Sequence, residues 1–209
     1  GLQTSFTNAT GLWSYATATG IVTFDPANDY NGTATLTYTL CDPSASCDPA
    51  VITFTVVPSN DPPIANDDSF STNEDIALGT QNLAGNDGDV DNTTAQLTWA
   101  LVSGGTAAAN GSLTVNANGT FSFTPNTDLN GTVSFTYQVC DPSSACDPAT
   151  VTITVNPVND APVGNNDNFT MQEGATLNTS VIGNDSDVDN TNVQLTWSLV
   201  SGGTAAANG

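Results

Sequence analysis

Across residues 59–157, apolar and polar side chains alternate with a period of two, as in strands that turn one face to a core and the other to solvent. The runs predict strands at 69–73, 76–84, 97–102, 112–116, 120–124, 131–140 and 149–156, the first two read as a pair. Thr, Val and Phe, which suit a pleated and half-buried surface, dominate these runs. Asn-Gly dipeptides at Asn110, Asn118 and Asn130 punctuate them and are expected to make short antiparallel connections. Seven strands in about 100 residues predict an all-β fold, a seven-strand Greek-key β-sandwich.

The pattern repeats. LTYTLCDPSASCDPAVITFTVVPSNDPPIANDDSF at 36–70 and FTYQVCDPSSACDPATVTITVNPVNDAPVGNNDNF at 135–169 are nearly the same and lie 99 residues apart, so the chain is a tandem array of repeats of about 99 residues. Residues 1–58 match the later part of a repeat, with Trp13 and Tyr15 falling on Leu113 and Val115, and Cys41 on Cys140. Residues 59–157 are a complete repeat, and residues 158–209 match the early part, ending at Gly209, which falls on Gly111. A partial sandwich buries too little core to stand alone, so flanking sequence is expected to complete both ends. The alternative is head-to-tail completion by another molecule.

Strand direction alternates in such a sandwich, which places side chains at its two poles. The loops holding Glu74 and Asp128 fall at one pole, and the 86–91 loop with the Cys140 to Cys146 loop at the other. Acidic poles of consecutive units then face each other across each linker.

Charge sharpens this picture. Twenty-one acidic residues, with no Lys, Arg or His, give a net charge of −21 and leave no side chain able to pair with a carboxylate. Close groups of Asp must stay solvated or be neutralised by a cation from solution. The same balance excludes nucleic acid and anionic membrane surfaces as partners, because both are held through basic residues. No apolar run approaches 18 residues and the N-terminal GLQTSFTNAT lacks the pattern of a signal peptide, so targeting information is expected outside this segment. Trypsin-like proteases, which cut after Lys or Arg, find no site.

Two loops concentrate the charge: NDGDVDN at 86–92 and NDSDVDN at 184–190. Carboxylates at alternate positions of a short loop lie roughly 6 Å apart and repel by about 0.7 kcal/mol per pair even in water. Asp and Asn also suit turns through bonds to their own backbone, and one isolated loop would be read that way. Its recurrence and the missing basic residues favour a hard cation, and an all-oxygen ligand set fits Ca2+ better than zinc, copper or iron. The start of the loop is EF-hand-like, but Asn92 stands at the Gly position and Thr98 at that of the bidentate Glu, so an EF-hand is rejected. At the second junction the candidate ligands are Glu74, Asp128, Asn159, Asp160, Asp185, Asp187 and Asp189. At the first they are Asp29, Asn60, Asp61, Asp87, Asp89 and Asp91.

Cys41 with Cys47 and Cys140 with Cys146 share a C-x5-C spacing across the loop between the last two strands, which suggests local disulfides and an oxidising, extracellular setting. A seven-residue ring of this kind stabilises by roughly 2 kcal/mol through loop entropy. Zinc is the rival, weakened by the absence of His and the distance between the pairs. Asp141 and Asp147 beside the Cys are either extra ligands or turn residues. Trp99 and Trp197 in LTW runs read as packing residues in preference to sugar-stacking platforms. Sequons such as Asn118-Gly119-Thr120 read as turns.

The run VNDAP at 158–162, the NDSDVDN loop and FTPNTDLNGTVSFTY at 123–137 together resemble the bacterial cadherin-like and Ig-like repeats of very large surface adhesins, and the resemblance covers the whole chain. It implies junction calcium held by a Glu after the first strand, acidic residues before the sixth, an Asn-Asp linker and an Asp-x-Asp loop of the following domain. Those roles fall on Glu74, Asp128, Asn159 with Asp160, and Asp187 with Asp189. The chain departs from the cadherin pattern at Pro157, where that linker begins with Asp, and at Asp128, which replaces an acidic pair. The resemblance implies a calcium-rigidified spacer in an extracellular adhesin stalk or filament, partnered by neighbouring repeats. A glycan-binding module is the alternative. An enzyme would have to work with a carboxylate pair alone, since no His or Lys is present.

Overall fold

The computed structural model describes residues 5–200. Strands β1 (Ser5–Asn8), β2 (Gly11–Ala16) and β3 (Ile21–Pro26) form an antiparallel meander. Strands β4 (Gly32–Cys41) and β5 (Cys47–Val56) form a long hairpin, its ends joined by the Cys41–Cys47 disulfide. Trp13, Phe24 and Phe54 pack with ring centroids 4.3 to 5.6 Å apart and make the centre of this first, half-open unit.

The middle unit is a closed sandwich. Strand β6 (Asp68–Asn73) is followed by β7 (Leu78–Asn82), a 3-10 turn (Thr94–Gln96), β8 (Thr98–Ser103), a short helix α1 (Gly105–Ala109), β9 (Gly111–Val115), β10 (Thr120–Pro125), β11 (Gly131–Cys140) and β12 (Cys146–Asn156). One sheet has the order β6-β12-β11-β8 and the other β7-β10-β9. β6 runs parallel to β12, and every other pairing in the unit is antiparallel. Alternate residues of β11 and β12 (Val133, Phe135, Tyr137, Val139, Val151, Ile153, Val155) face Phe121, Phe123, Leu78 and Leu83 from the other side, all buried. The period of two thus becomes a core between two sheets.

Three expectations change, and one element was not foreseen. The strands read as a first pair do not pair: the turn at 73–76, with Asp75 left-handed (φ 59°), carries the chain from one sheet to the other, so that Phe70 and Leu78 reach one core from opposite sides. Only Asn118-Gly119 closes a hairpin, where Asn116 N–H donates to Thr120 O (2.8 Å) and Gly119 takes φ 80°. Asn110-Gly111 ends α1 and Asn130-Gly131 opens β11 after a crossing between sheets. The helix itself arises from the alanine run 107–109, and it seats buried Ala107 in the core while Thr106 Oγ1 accepts Ser134 N–H (2.8 Å).

Residues 158–200 contain turns and one bridge, Val163↔Ser186, which repeats Ile64↔Gly88 of the middle unit. No strand forms among these described residues, and Trp197 lies outside any strand. The segment therefore keeps the linker-to-loop contact of a repeat without its sheets.

Candidate metal centre

Each Asp-rich loop is folded by its own carboxylates. Asp187 Oδ1 accepts the N–H of Asp189 (2.9 Å) and of Asn190 (2.8 Å), and Asp89 Oδ1 does the same for Asp91 (2.7 Å) and Asn92 (2.8 Å). These turns aim the next Asp back at the linker: Asp189 Oδ2 accepts Asp160 N–H (2.6 Å) and Asp91 Oδ2 accepts Asp61 N–H (2.7 Å). Turn-forming and junction-facing roles thus coexist in one loop, on different residues.

The middle unit contributes from its opposite pole. Glu74 directly follows β6 and has only 2% of its surface exposed; Oε2 accepts Asn130 Nδ2–H (3.1 Å) and Oε1 accepts Val158 N–H of the linker. Asp75 and Asp128 both sit in the left-handed region (φ 59° and 57°), which Asp tolerates, and Asp128 N–H donates to Asp75 Oδ1 (3.1 Å). As a result Glu74, Asp160 and Asp189 each offer a carboxylate oxygen within 4.8 Å of the others, and so do Asp75, Asp128 and Asp160.

Five carboxylates therefore converge on the junction around Asp160, in a chain without a basic side chain. Like charges at this spacing repel by about 1 kcal/mol per pair in bulk water and roughly 3 kcal/mol at a surface dielectric near 20. Burial, then the charges of Asp128, Asp189, Asp75 and Glu74, push the Asp160 carboxyl above the usual range. Its Oδ2 is buried without a hydrogen-bond donor. An all-oxygen donor set, an orphaned carboxylate oxygen and uncompensated charge fit a hard divalent cation.

Other candidates are placed differently. Asp87, 9% exposed, accepts Asn66 N–H (2.9 Å) on Oδ1, Trp99 Nε1–H (2.7 Å) on Oδ2 and the Tyr137 hydroxyl (3.1 Å) on both. Asp185 accepts Asn165 N–H (2.8 Å) and Trp197 Nε1–H (2.9 Å). Both pin the loop to its own unit. Asn159 Nδ2 donates to Asp160 O (2.7 Å), and Asn60 Nδ2 to Asp61 O (3.1 Å). At the first junction Asp29 (φ 60°), Asp61 and Asp91 line a cavity of about 290 Å³ together with Tyr30, Val56 and Ser59. The Asp89 Oδ2 atom is buried without a partner.

Sequence reasoning missed Asp75, whose signal was its adjacency to Glu74 beside a turn. It also left open the residues flanking the disulfides. Cys140–Cys146 closes a loop in which Asp141, 5% exposed, accepts Asn60 Nδ2–H of the linker (2.6 Å) and Ala145 N–H (2.8 Å). Asp147 accepts Ala65 N–H (2.9 Å) and Asp67 accepts Thr150 N–H (2.7 Å). Thus the clipped hairpin holds the incoming linker along its length. The Asn60 amide does most to hold the Asp141 carboxyl below the usual range; partial desolvation opposes it and backbone N–H groups of the loop add to it.

The sequence model of the family described as Bacterial Ig domain matches residues 2–55, 60–154 and 159–209. No curated protein matches the chain. Among solved structures it is similar to mouse cadherin-23 EC22-24, at 16% identity over 70% of this chain and 50% of that one, with a TM-score of 0.48. It is also similar to the protocadherin GammaB4 extracellular domain (17% identity, 68% of this chain and 23% of that one, TM-score 0.45). An endo-fucoidan hydrolase of glycoside hydrolase family 107 is a third (22%, 76% and 25%, TM-score 0.37). The chain spans half or less of the length of each.

Proposed function

The chain belongs to the bacterial Ig domain family, and from that premise we propose that it is a calcium-rigidified structural spacer in an extracellular array that serves adhesion. The observation that carries this reading is the convergence of Glu74, Asp75, Asp128, Asp160 and Asp189 from two consecutive units and their linker. Bound calcium supplies positive charge and accepts several oxygen ligands at flexible geometry. Glu74 would then serve twice, holding Val158 N–H of the linker through Oε1 while bringing charge to the junction. Asp160 and Asp189, already joined by the Asp160 N–H, tie the linker to the following unit. With the cation removed, the five carboxylates repel one another and the linker is free to bend.

Two further features suit an extracellular spacer: the disulfides Cys41–Cys47 and Cys140–Cys146, and a sequence without trypsin sites. Among the described residues no helix is long and apolar enough to cross a membrane. Calorimetric titration of the chain with calcium tests the proposal. Heat of binding that Asp160→Asn abolishes supports it, and the absence of binding at millimolar calcium refutes it.

A further inference from the structure

The complete middle unit leaves one strand edge unguarded. Even-numbered residues of β9 turn their backbone groups to β10: at the two ends of the pairing Asn116 N–H donates to Thr120 O (2.8 Å) and Asn110 O accepts Asn126 N–H (2.9 Å), and the register between runs without a shift. The N–H and C=O of Gly111, Leu113 and Val115 therefore point away from the sheet, and among the described residues they meet no partner. Beyond Val115 the edge closes, where Ala117 O accepts Trp99 N–H (3.2 Å). Edges of this kind are normally blunted by charge, Pro or a bulge. β9 has none of the three, and no charged residue stands between Asp91 and Asp128. On β8, the edge strand that follows Trp99, Leu101 is 44% and Val102 53% exposed.

The first unit shows the same edge in use. Its β2 is the counterpart of β9, with Trp13 on Leu113, and β1 pairs antiparallel along the outer side of β2, Phe6 opposite Trp13. In the middle unit the residues in the place of β1 are alanine-rich and form α1, so the edge of β9 stays open.

We infer that β9 of one molecule pairs antiparallel with β9 of a second copy, about a two-fold axis at Leu113. In that register Leu113 lies opposite Leu113 of the second copy and Gly111 opposite its Val115, so every outward N–H and C=O of both strands finds a partner. The pairing joins two three-stranded sheets edge to edge and covers Leu113 and Val115, which sit half-buried at the rim of the core. Charge selects the occupant. Strands β7 to β11 hold no carboxylate, and those of the unit gather at its poles. A basic partner is drawn to those poles and an acidic one is repelled by them, so the surface that fits this flank is one equally free of charge, as the same flank of a second copy is. The contact is isologous and closes at the dimer. Repulsion between chains of net charge −21 opposes it, so the dimer strengthens as salt screens the poles.

Sedimentation equilibrium of the 209-residue chain at high salt, over a wide concentration range and in chelator, tests this independently of any junction cation. The wild type should pass from monomer to dimer as concentration rises and stop there. Amide exchange locates the contact: Ser112 and Thr114, held by β10, exchange slowly in both states, whereas Gly111, Leu113 and Val115 exchange fast in the monomer and slowly in the dimer. Leu113→Pro deletes an outward N–H without touching a bond to β10, and Thr114→Glu sets a charge on the exposed side of the edge; each should abolish the dimer. Thr127→Glu adds the same charge at the pole beside Asp128 and should leave the dimer intact. The inference is overturned by a wild type that stays monomeric, by a dimer in which Leu113 and Val115 remain unprotected, by edge variants that dimerise as well as the wild type, or by a Thr127→Glu chain that dissociates as they do.

Discussion

Asp87→Asn isolates the buried acceptor that holds the 86–92 loop to the middle unit. The carboxylate takes three donors: Trp99 Nε1–H, Asn66 N–H and the Tyr137 hydroxyl. An asparagine keeps the shape but offers one oxygen, so its NH2 must face either Trp99 Nε1–H or Asn66 N–H. Loss of one bond to a charged group costs about 1.5–3 kcal/mol, and the stranded donor adds about 1–2 kcal/mol. Neutralising the residue removes its repulsion of Asp68, which returns roughly 1 kcal/mol. The net cost is about 2–3 kcal/mol, which for a unit of about 100 residues lowers Tm by roughly 10–20 °C. Scanning calorimetry in chelator reads this directly. Asp185→Asn is the control: it loses the same kinds of bond beside an exposed Trp197 and should cost under about 0.5 kcal/mol. The reasoning is refuted if Asp87→Asn melts within about 2 °C of the wild type, or if the two substitutions cost the same.

The other predictions are smaller. Asp141 titrates low in the folded chain, so its hold on Asn60 is complete above about pH 4 and is lost as pH falls through that lowered value; carboxyl NMR shifts of Asp141 and the Asn60 amide should move together, and independent titration would contradict the link. Reducing Cys140–Cys146 should cost roughly 2 kcal/mol in urea unfolding and raise amide exchange at Ala65 and Asn60, with no change at β9. Asp75→Asn should weaken calcium binding by about one to two orders of magnitude while leaving the melting of the calcium-free chain unchanged or slightly raised, since one like charge leaves the cluster.

The alternation of side chains over 59–157 located all seven strands to within a few residues, because a two-sheet core imposes its period directly on β11 and β12. What it could not give was partnership between strands. β6 and β7 are adjacent in sequence, yet the left-handed Asp75 sends them to different sheets, a choice made by core closure and not by local pattern. The three-alanine helix was equally hidden, since one turn is too short to show a helical period. For the site, repetition of the Asp loops and the absence of basic residues already pointed to the junctions. Spacing within the loops did not reveal how the work is divided among their carboxylates, because Asp87 and Asp185 carry the same letter as their neighbours but bind tryptophan. Asp141 and Asp147 likewise take their role from Asn60 and Ala65, about 80 residues away in the chain.

The central claim is that charge at the junction is bound by calcium and fixes the angle between units. Small-angle scattering with a parallel thermal melt, on a chain carrying whole repeats and titrated with calcium and then chelator, addresses it most directly. The account predicts a longer, stiffer particle and a higher Tm with calcium, both reversed by chelator and both lost in Asp189→Asn. A scattering profile and Tm that stay the same at millimolar calcium would contradict it.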